Sequence, residues 1–118
     1  MVAHDVSVGS GSYVGPHVVL AAGTSVGVNE IVHANSVIGH HNAIGDHVHA
    51  APGVLTAGAV TIGKGALVGI GARIIPQKTI GEWAVVGAGA VVIRDVASGQ
   101  TVAGNPAAPL PQKKATVL

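Results

Sequence analysis

The sequence predicts an all-β chain wound as a β-solenoid, and three observations predict it. An aliphatic residue recurs every sixth position: Val2, Val8, Val14, Leu20, Val26, Val32, Ile38, Ile44, then Ala50 and Thr56, then Ile62, Val68, Ile74, Ile80, Val86 and Val92. Small residues follow it, as at Gly9, Gly15, Gly27, Gly39, Gly45, Gly63, Gly69, Gly81 and Gly87, and a small residue or Val precedes it by two. Finally, the 118 residues include 18 Gly but only one Trp, one Tyr and no Phe. A core without aromatic volume has to be assembled from thin layers of Val, Ile, Leu and Ala.

The period decides between helix and strand. Six is not a multiple of 3.6, so a helix would lose its apolar face within two repeats. It is a multiple of two, so each hexad accommodates one very short strand and a turn. Residues two apart on a strand share a face, which turns the aliphatic and the small residue before it inward together. The Gly after the aliphatic reads as the bend, where strained dihedrals cost glycine little. Strands this short need neighbours stacked coil on coil to bury a core. A Gly/Val-rich β-sandwich is the competing fold, but sandwich turns recur at about 8–12 residues rather than in a strict six.

The elements follow in order. Residues 1–92 form the repeat. Residues 93–108, containing Arg94-Asp95-Val96 and Val102-Ala103-Gly104-Asn105-Pro106-Ala107, read as a C-terminal cap over an otherwise open end. Residues 109–118, with Lys113 and Lys114, read as a flexible tail.

Several function classes are excluded on composition. High apolar content with 9% charged residues excludes disorder. The absence of Cys excludes disulfides and thiolate-bound metal. A net charge of +1 leaves no electrostatic footprint for nucleic acid. No apolar run approaches the ~18 residues of a membrane span. Met1 to Asp5 shows no basic start to a secretion signal, so a soluble cytoplasmic protein is expected.

Charge is segregated along the chain. All seven His lie at or before His49, and all six Lys and Arg lie at or after Lys64. One half thus offers imidazoles that titrate near neutral pH, and the other offers permanent cations suited to phosphates. Glu30 stands where a small inward residue belongs. A buried unpaired carboxylate is costly, so it either pairs, with His33 or Asn42, or the coil opens there.

The aliphatic-Gly-x-x-small-x rule resembles the hexapeptide-repeat acyltransferases. Within them the chain is most similar to the sialic acid O-acetyltransferases and nucleotide-sugar N-acetyltransferases. The segments that carry this are residues 36–53, Thr56-Ala57-Gly58, Thr79-Ile80-Gly81, residues 86–92 and residues 102–107. The resemblance implies a left-handed parallel β-helix of about five triangular coils, three hexads to the coil. It implies an acetyltransferase using acetyl-CoA without a metal, a homotrimer with the donor between neighbouring solenoids, and a small, sugar-like acceptor. Relatives carry an α/β domain before the solenoid; here hexads begin at residue 2, so the resemblance covers the solenoid alone.

Residue by residue, it places the general base at His40 and a donor- or acceptor-contacting histidine at His49. His33 and Asn42 are expected to contact substrate. Gly58 matches the position whose N–H faces the thioester carbonyl oxygen, and Ile70 and Ala88 match the pantetheine channel. Lys64 and Arg73 are the cations available to the CoA phosphates. The family has Asp or Glu after the base where this chain has His41, and Asn where it has His33. His41 is expected not to touch His40, because neighbours on a strand point apart.

Two other classes compete. A non-catalytic solenoid scaffold is one. The γ-type carbonic anhydrases, which share the fold, are the other. They bind zinc through three His, with a pair five residues apart, and no two His here are separated by five.

Overall fold

A computed structural model describes residues 1–111; Lys113, Lys114 and the rest of residues 112–118 lie outside the described residues. The described residues hold no helix, and their strands are two or three residues long. They stack into three parallel sheets. The first contains Ser7–Val8, Ser25–Val26, Ala43–Ile44, Thr61–Ile62 and Thr79–Ile80. The second contains Tyr13–Val14, Ile31–Val32, His49–Ala50, Leu67–Val68, Val85–Val86, Thr101–Ala103 and Ala108–Pro109. The third contains Val19–Leu20, Val37–Ile38, Leu55–Thr56, Arg73–Ile74 and Val91–Val92. Register fixes the coil length: Val8 pairs with Val26, Val26 with Ile44 and Ile44 with Ile62, eighteen residues apart at each step. Three hexads therefore make one coil, and the chain is the expected left-handed β-helix of about five coils.

The aliphatic column forms the core. From Leu20 to Val92 every member is buried, with Val18, Val48, Val54, Val60, Ala66, Ala72, Ala84 and Ala90 filling the positions two residues earlier. Val2 and Val8 break the rule, at 51% and 41% exposed, because among the described residues no coil lies beneath them.

The glycines after the aliphatics have a different cause from the one expected. None of them is left-handed; that conformation falls two residues later, where non-glycine residues such as Asn29, Asn35 and His41 also adopt it. What demands glycine is close approach. A Cβ on Gly39 would lie 2.5 Å from the Ala57 carbonyl oxygen of the next coil, and one on Gly63 2.6 Å from the Glu82 nitrogen.

Turns come in two forms. Where apolar residues lie below, a turn closes on itself, as with Ala66 N–H to Gly63 O at 3.2 Å. In the N-terminal half a hydroxyl from the coil below is inserted instead. Ser12 donates to Gly27 O at 2.9 Å and accepts from Glu30 N–H at 3.0 Å. Ser36 does the same between Ala51 O and Val54 N–H. Glu30 therefore sits at an opened turn and pairs with neither His33 nor Asn42. Its side chain is 0% exposed, Oε1 accepts from Gly27 N–H at 3.1 Å, and Oε2 has no partner.

Beyond Val92 the hexads stop. Val96 bridges to Ile80, and Asp95 accepts the Thr79 N–H at 2.8 Å, covering the end of the first sheet. Thr101–Ala103 joins the second sheet and turns back to pair antiparallel with Ala108–Pro109. Pairing continues through Leu110, whose N–H donates to Thr101 O.

Candidate active site

The three corners of the triangular coil divide the predicted site residues. His40 and His41 occupy the turn after Val37–Ile38, between the third and first sheets, and Gly58 is one coil above His40. The backbone here is held from both sides. His41 N–H donates to Ala22 O at 2.9 Å, and His40 O accepts from Ala59 N–H at 2.9 Å.

Beneath this turn lies a buried polar cluster. Thr24 Oγ1 donates to Gly39 O at 2.7 Å and accepts from Asn42 N–H at 3.2 Å. Asn42 Nδ2 donates to His40 O at 3.1 Å and to Ala57 O at 2.9 Å. Thr56 donates to Asn42 Oδ1 and accepts from Gly39 N–H. Asn42, expected to contact substrate, is 1% exposed and inside the coil. Its amide spans two coils and fixes the His40 carbonyl. Thr24 and Thr56 were not singled out as site residues. The signal was available: Thr56 interrupts the aliphatic column, and Thr24 and Asn42 place polar groups in the inward column beside it.

The His40 ring lies over Gly58. A Cβ on Gly58 would be 2.4 Å from His40 Nε2 and 2.5 Å from Cε1. The Gly58 N–H has no acceptor among the described residues, although the Gly58 carbonyl accepts from Gln77. An imidazole nitrogen and an unused amide donor thus stand side by side on the surface.

The expectation that His41 stays clear of His40 is overturned. Their Nδ1 atoms are 3.0 Å apart and the rings meet edge to face at 5.3 Å. The two residues are on a turn, not a strand, and His41 is left-handed with φ of 54°. Alternation of faces holds only for extended backbone.

The other predicted residues are elsewhere on the surface. His49 projects outward from the second sheet, and its ring is 5.0 Å from that of His33, which Tyr13 meets edge-on at 6.2 Å. His33, Ile70 and Ala88 share the corner between the second and third sheets. Arg73 projects outward from the third sheet between Leu55 and Val91. Lys64 is on the remaining corner, opposite the third sheet. Within one chain, then, His40 meets Gly58 and His33 meets His49, while Arg73 and Lys64 lie apart from both pairs and from each other. Among the described residues no three His, Asp or Glu side chains are grouped to hold a metal ion.

No protein-family model matches the chain. It is 40% identical over 107 residues to a GDP-perosamine N-acetyltransferase of Escherichia coli O157:H7, covering 85% of this chain and 48% of that one. The acetyltransferase domain of PglB from Neisseria gonorrhoeae, solved with acetyl coenzyme A, superimposes with a TM-score of 0.90 at 36% identity, covering 92% of this chain and 53% of that one. A histidine-to-alanine mutant of the Caulobacter crescentus GDP-perosamine N-acetyltransferase, solved with CoA and GDP-perosamine, gives 0.93 at 34% identity, covering 94% and 53%. The chain spans about half the length of these relatives. Its eighteen-residue register, its three-sided coil and these likenesses agree: over the solenoid the chain is similar to the hexapeptide-repeat, left-handed β-helix acetyltransferases.

Proposed function

We propose that this chain transfers acetyl from acetyl-CoA to a sugar-like acceptor, with the amine of a nucleotide-linked amino sugar as the first class to test and a hydroxyl as the alternative. The observation that carries the reading is the His40 ring lying against Gly58, whose N–H is free. A thioester carbonyl at Gly58 would direct its oxygen at that N–H, which stabilises the oxyanion as it develops. An amine approaching the same carbon would meet His40 Nε2. His40 then takes the proton that the nitrogen sheds as the C–N bond forms. The tetrahedral adduct collapses with cleavage of the C–S bond, and the departing CoA thiolate takes up that proton. General base catalysis of this kind supplies about 10²–10⁴-fold.

The three faces of the solenoid favour a homotrimer. The first sheet shows solvent Ser7, Ser25, Ala43, Thr61 and Thr79. The second shows Tyr13, Ile31, His49, Leu67 and Val85, and the third Val19, Val37, Leu55, Arg73 and Val91. Two adjacent apolar faces and one polar face suit three prisms packed around an axis, each burying two sides. The third sheet of one copy then opposes the second sheet of the next. That arrangement sets the neighbour's His49 across a cleft from His40, with Arg73 on the cleft wall for the CoA phosphates. Ile70 and Ala88 line its inner end. Residues 1–92 supply the site, and residues 93–108 close the end.

The test is calorimetric titration with acetyl-CoA, followed by thiol release with GDP-perosamine as probe acceptor. Saturable binding near one per chain, with transfer abolished in His40→Ala, is expected. Absence of binding at millimolar acetyl-CoA refutes the proposal. Binding without transfer to any amine or hydroxyl probe would instead assign a CoA-binding scaffold.

A further inference from the structure

We infer that His41 is a positioning residue that holds His40 in its proton-accepting tautomer, a role that rests on His40 being the base. The two Nδ1 atoms are 3.0 Å apart. At that distance, with both rings neutral, one nitrogen carries the hydrogen and the other offers its lone pair. Each ring then has its remaining nitrogen in the opposite state. If His40 donates, its Nε2 is bare and faces the space over Gly58. If His41 donates, His40 Nε2 carries the hydrogen and cannot accept a proton.

The surroundings choose the first arrangement. The far edge of the His41 ring lies on Gly23, where a Cβ would be 2.5 Å from Cδ2 and 2.7 Å from Nε2. The same Gly23 donates its N–H to Asp5 Oδ2 at 3.1 Å. Asp5 makes no hydrogen bond or ion pair with His41 among the described residues. Its negative charge, held on the glycine beneath the far edge of the ring, nonetheless favours the hydrogen on Nε2 over Nδ1, which leaves Nδ1 as the acceptor. The order Asp5, His41, His40 thus runs up one corner of the solenoid. The other ionisable groups along that corner are His4, two coils below His40, Lys78, two coils above, and Arg94 and Asp95, three coils above, where Asp95 accepts the Thr79 N–H. An imidazole that accepts at Nδ1 also steadies the imidazolium formed when His40 takes its second proton, and it does so without a charge of its own.

Long-range proton–nitrogen NMR of the histidine-labelled protein reads the tautomer directly. The full chain is expected to show His40 protonated at Nδ1 at a pH where both rings are neutral. In His41→Phe, which keeps a ring on Gly23 but offers no acceptor, the hydrogen moves to Nε2. With acetyl-CoA and GDP-perosamine, kcat then falls by roughly 10–100-fold, the cost usual for losing a ligand-orienting partner, with KM for acetyl-CoA unchanged. His41→Asp has no ring to pack yet restores the acceptor. It is expected to recover kcat and to move the acid limb of the pH–rate profile upward, which a packing role would not produce. The inference is overturned if the wild-type spectrum shows His40 protonated at Nε2, or if His41→Phe keeps full kcat while His40→Ala is inactive. If His40→Ala itself keeps full activity, the base assignment fails instead.

Discussion

Gly58→Ala separates catalysis from stability. The added Cβ would sit 2.4 Å from His40 Nε2 and 2.5 Å from Cε1, about 1 Å inside ordinary contact. What it meets is the far end of an exposed side chain, so the ring swings away and the coil is undisturbed. Gly58 is not in the left-handed region, so alanine costs nothing in the backbone there. Stability is therefore expected to change by less than about 0.5 kcal/mol, read as a midpoint of thermal unfolding close to wild type. Activity should not survive as well. Displacing a reacting group by about 1 Å costs on the order of 10²-fold, so kcat for acetyl transfer to GDP-perosamine falls by that factor. Gly63→Ala is the control. Its Cβ meets the Glu82 backbone nitrogen at 2.6 Å and the Gly81 carbonyl carbon at 2.9 Å, which do not swing aside. That variant is expected to lose about 1–3 kcal/mol of stability while its remaining folded fraction works normally. Full activity in Gly58→Ala would refute the claim that the His40 ring works from its place over Gly58.

Three further outcomes follow. Burial pushes the Glu30 carboxyl up to about 8 from an ordinary 4.5, against the backbone amides of Gly27 and Val48 and with Asp46 adding to the rise. The folded state then holds a proton that the unfolded chain releases between those values. Stability is fullest below pH 4.5 and declines as pH rises toward 8. Glu30→Gln should flatten that slope in urea titrations run from pH 5 to 9. Asn42→Leu strips donors from the buried His40 and Ala57 carbonyls and should cost about 2–3 kcal/mol in the same assay. Leu67→Asp, on the outer face of the second sheet, should leave the monomer folded. By light scattering it should reduce an assembly of three 11.5 kDa chains to one; a wild-type mass of one chain would remove the trimer from the proposal.

Most of the fold was legible because one physical requirement repeats. Every coil buries an aliphatic at the same phase, so Val26, Ile44 and Ile62 announce the strands, and the register makes them partners eighteen residues apart. Handedness and coil size do not follow from the period and came from family likeness. The reason for the glycines was misread because sequence shows that a position excludes side chains but not what excludes them. At Gly39 and Gly63 it is the neighbouring coil, not a strained dihedral. His40 and Gly58 were each singled out by family likeness, and the eighteen-residue coil is what makes them neighbours. The contact between His40 and His41 was not legible, because it depends on a left-handed turn residue, a conformation that only a few per cent of non-glycine residues adopt.

The departures from the repeat explain why the proposed site would lie at this corner. A solenoid built only of Val, Ile and Ala would close every turn on itself and hold each corner alike. Polar groups enter the core at Ser12, Thr24, Glu30, Ser36, Asn42 and Thr56, all in the N-terminal half. Only the turn of Gly39, His40 and His41 gathers three of them, Thr24 from the coil below, Asn42 at its own end and Thr56 from above. Each of the three satisfies the others' groups or those of the backbone, so burial leaves no loss there to recover. Glu30, with one oxygen unpartnered, shows what the same substitution costs where no such cluster surrounds it. Local rules of a fold are broken with compensation where a surface group must be held still. Here that compensation converges on the carbonyl of His40, which fixes the backbone from which its imidazole reaches Gly58.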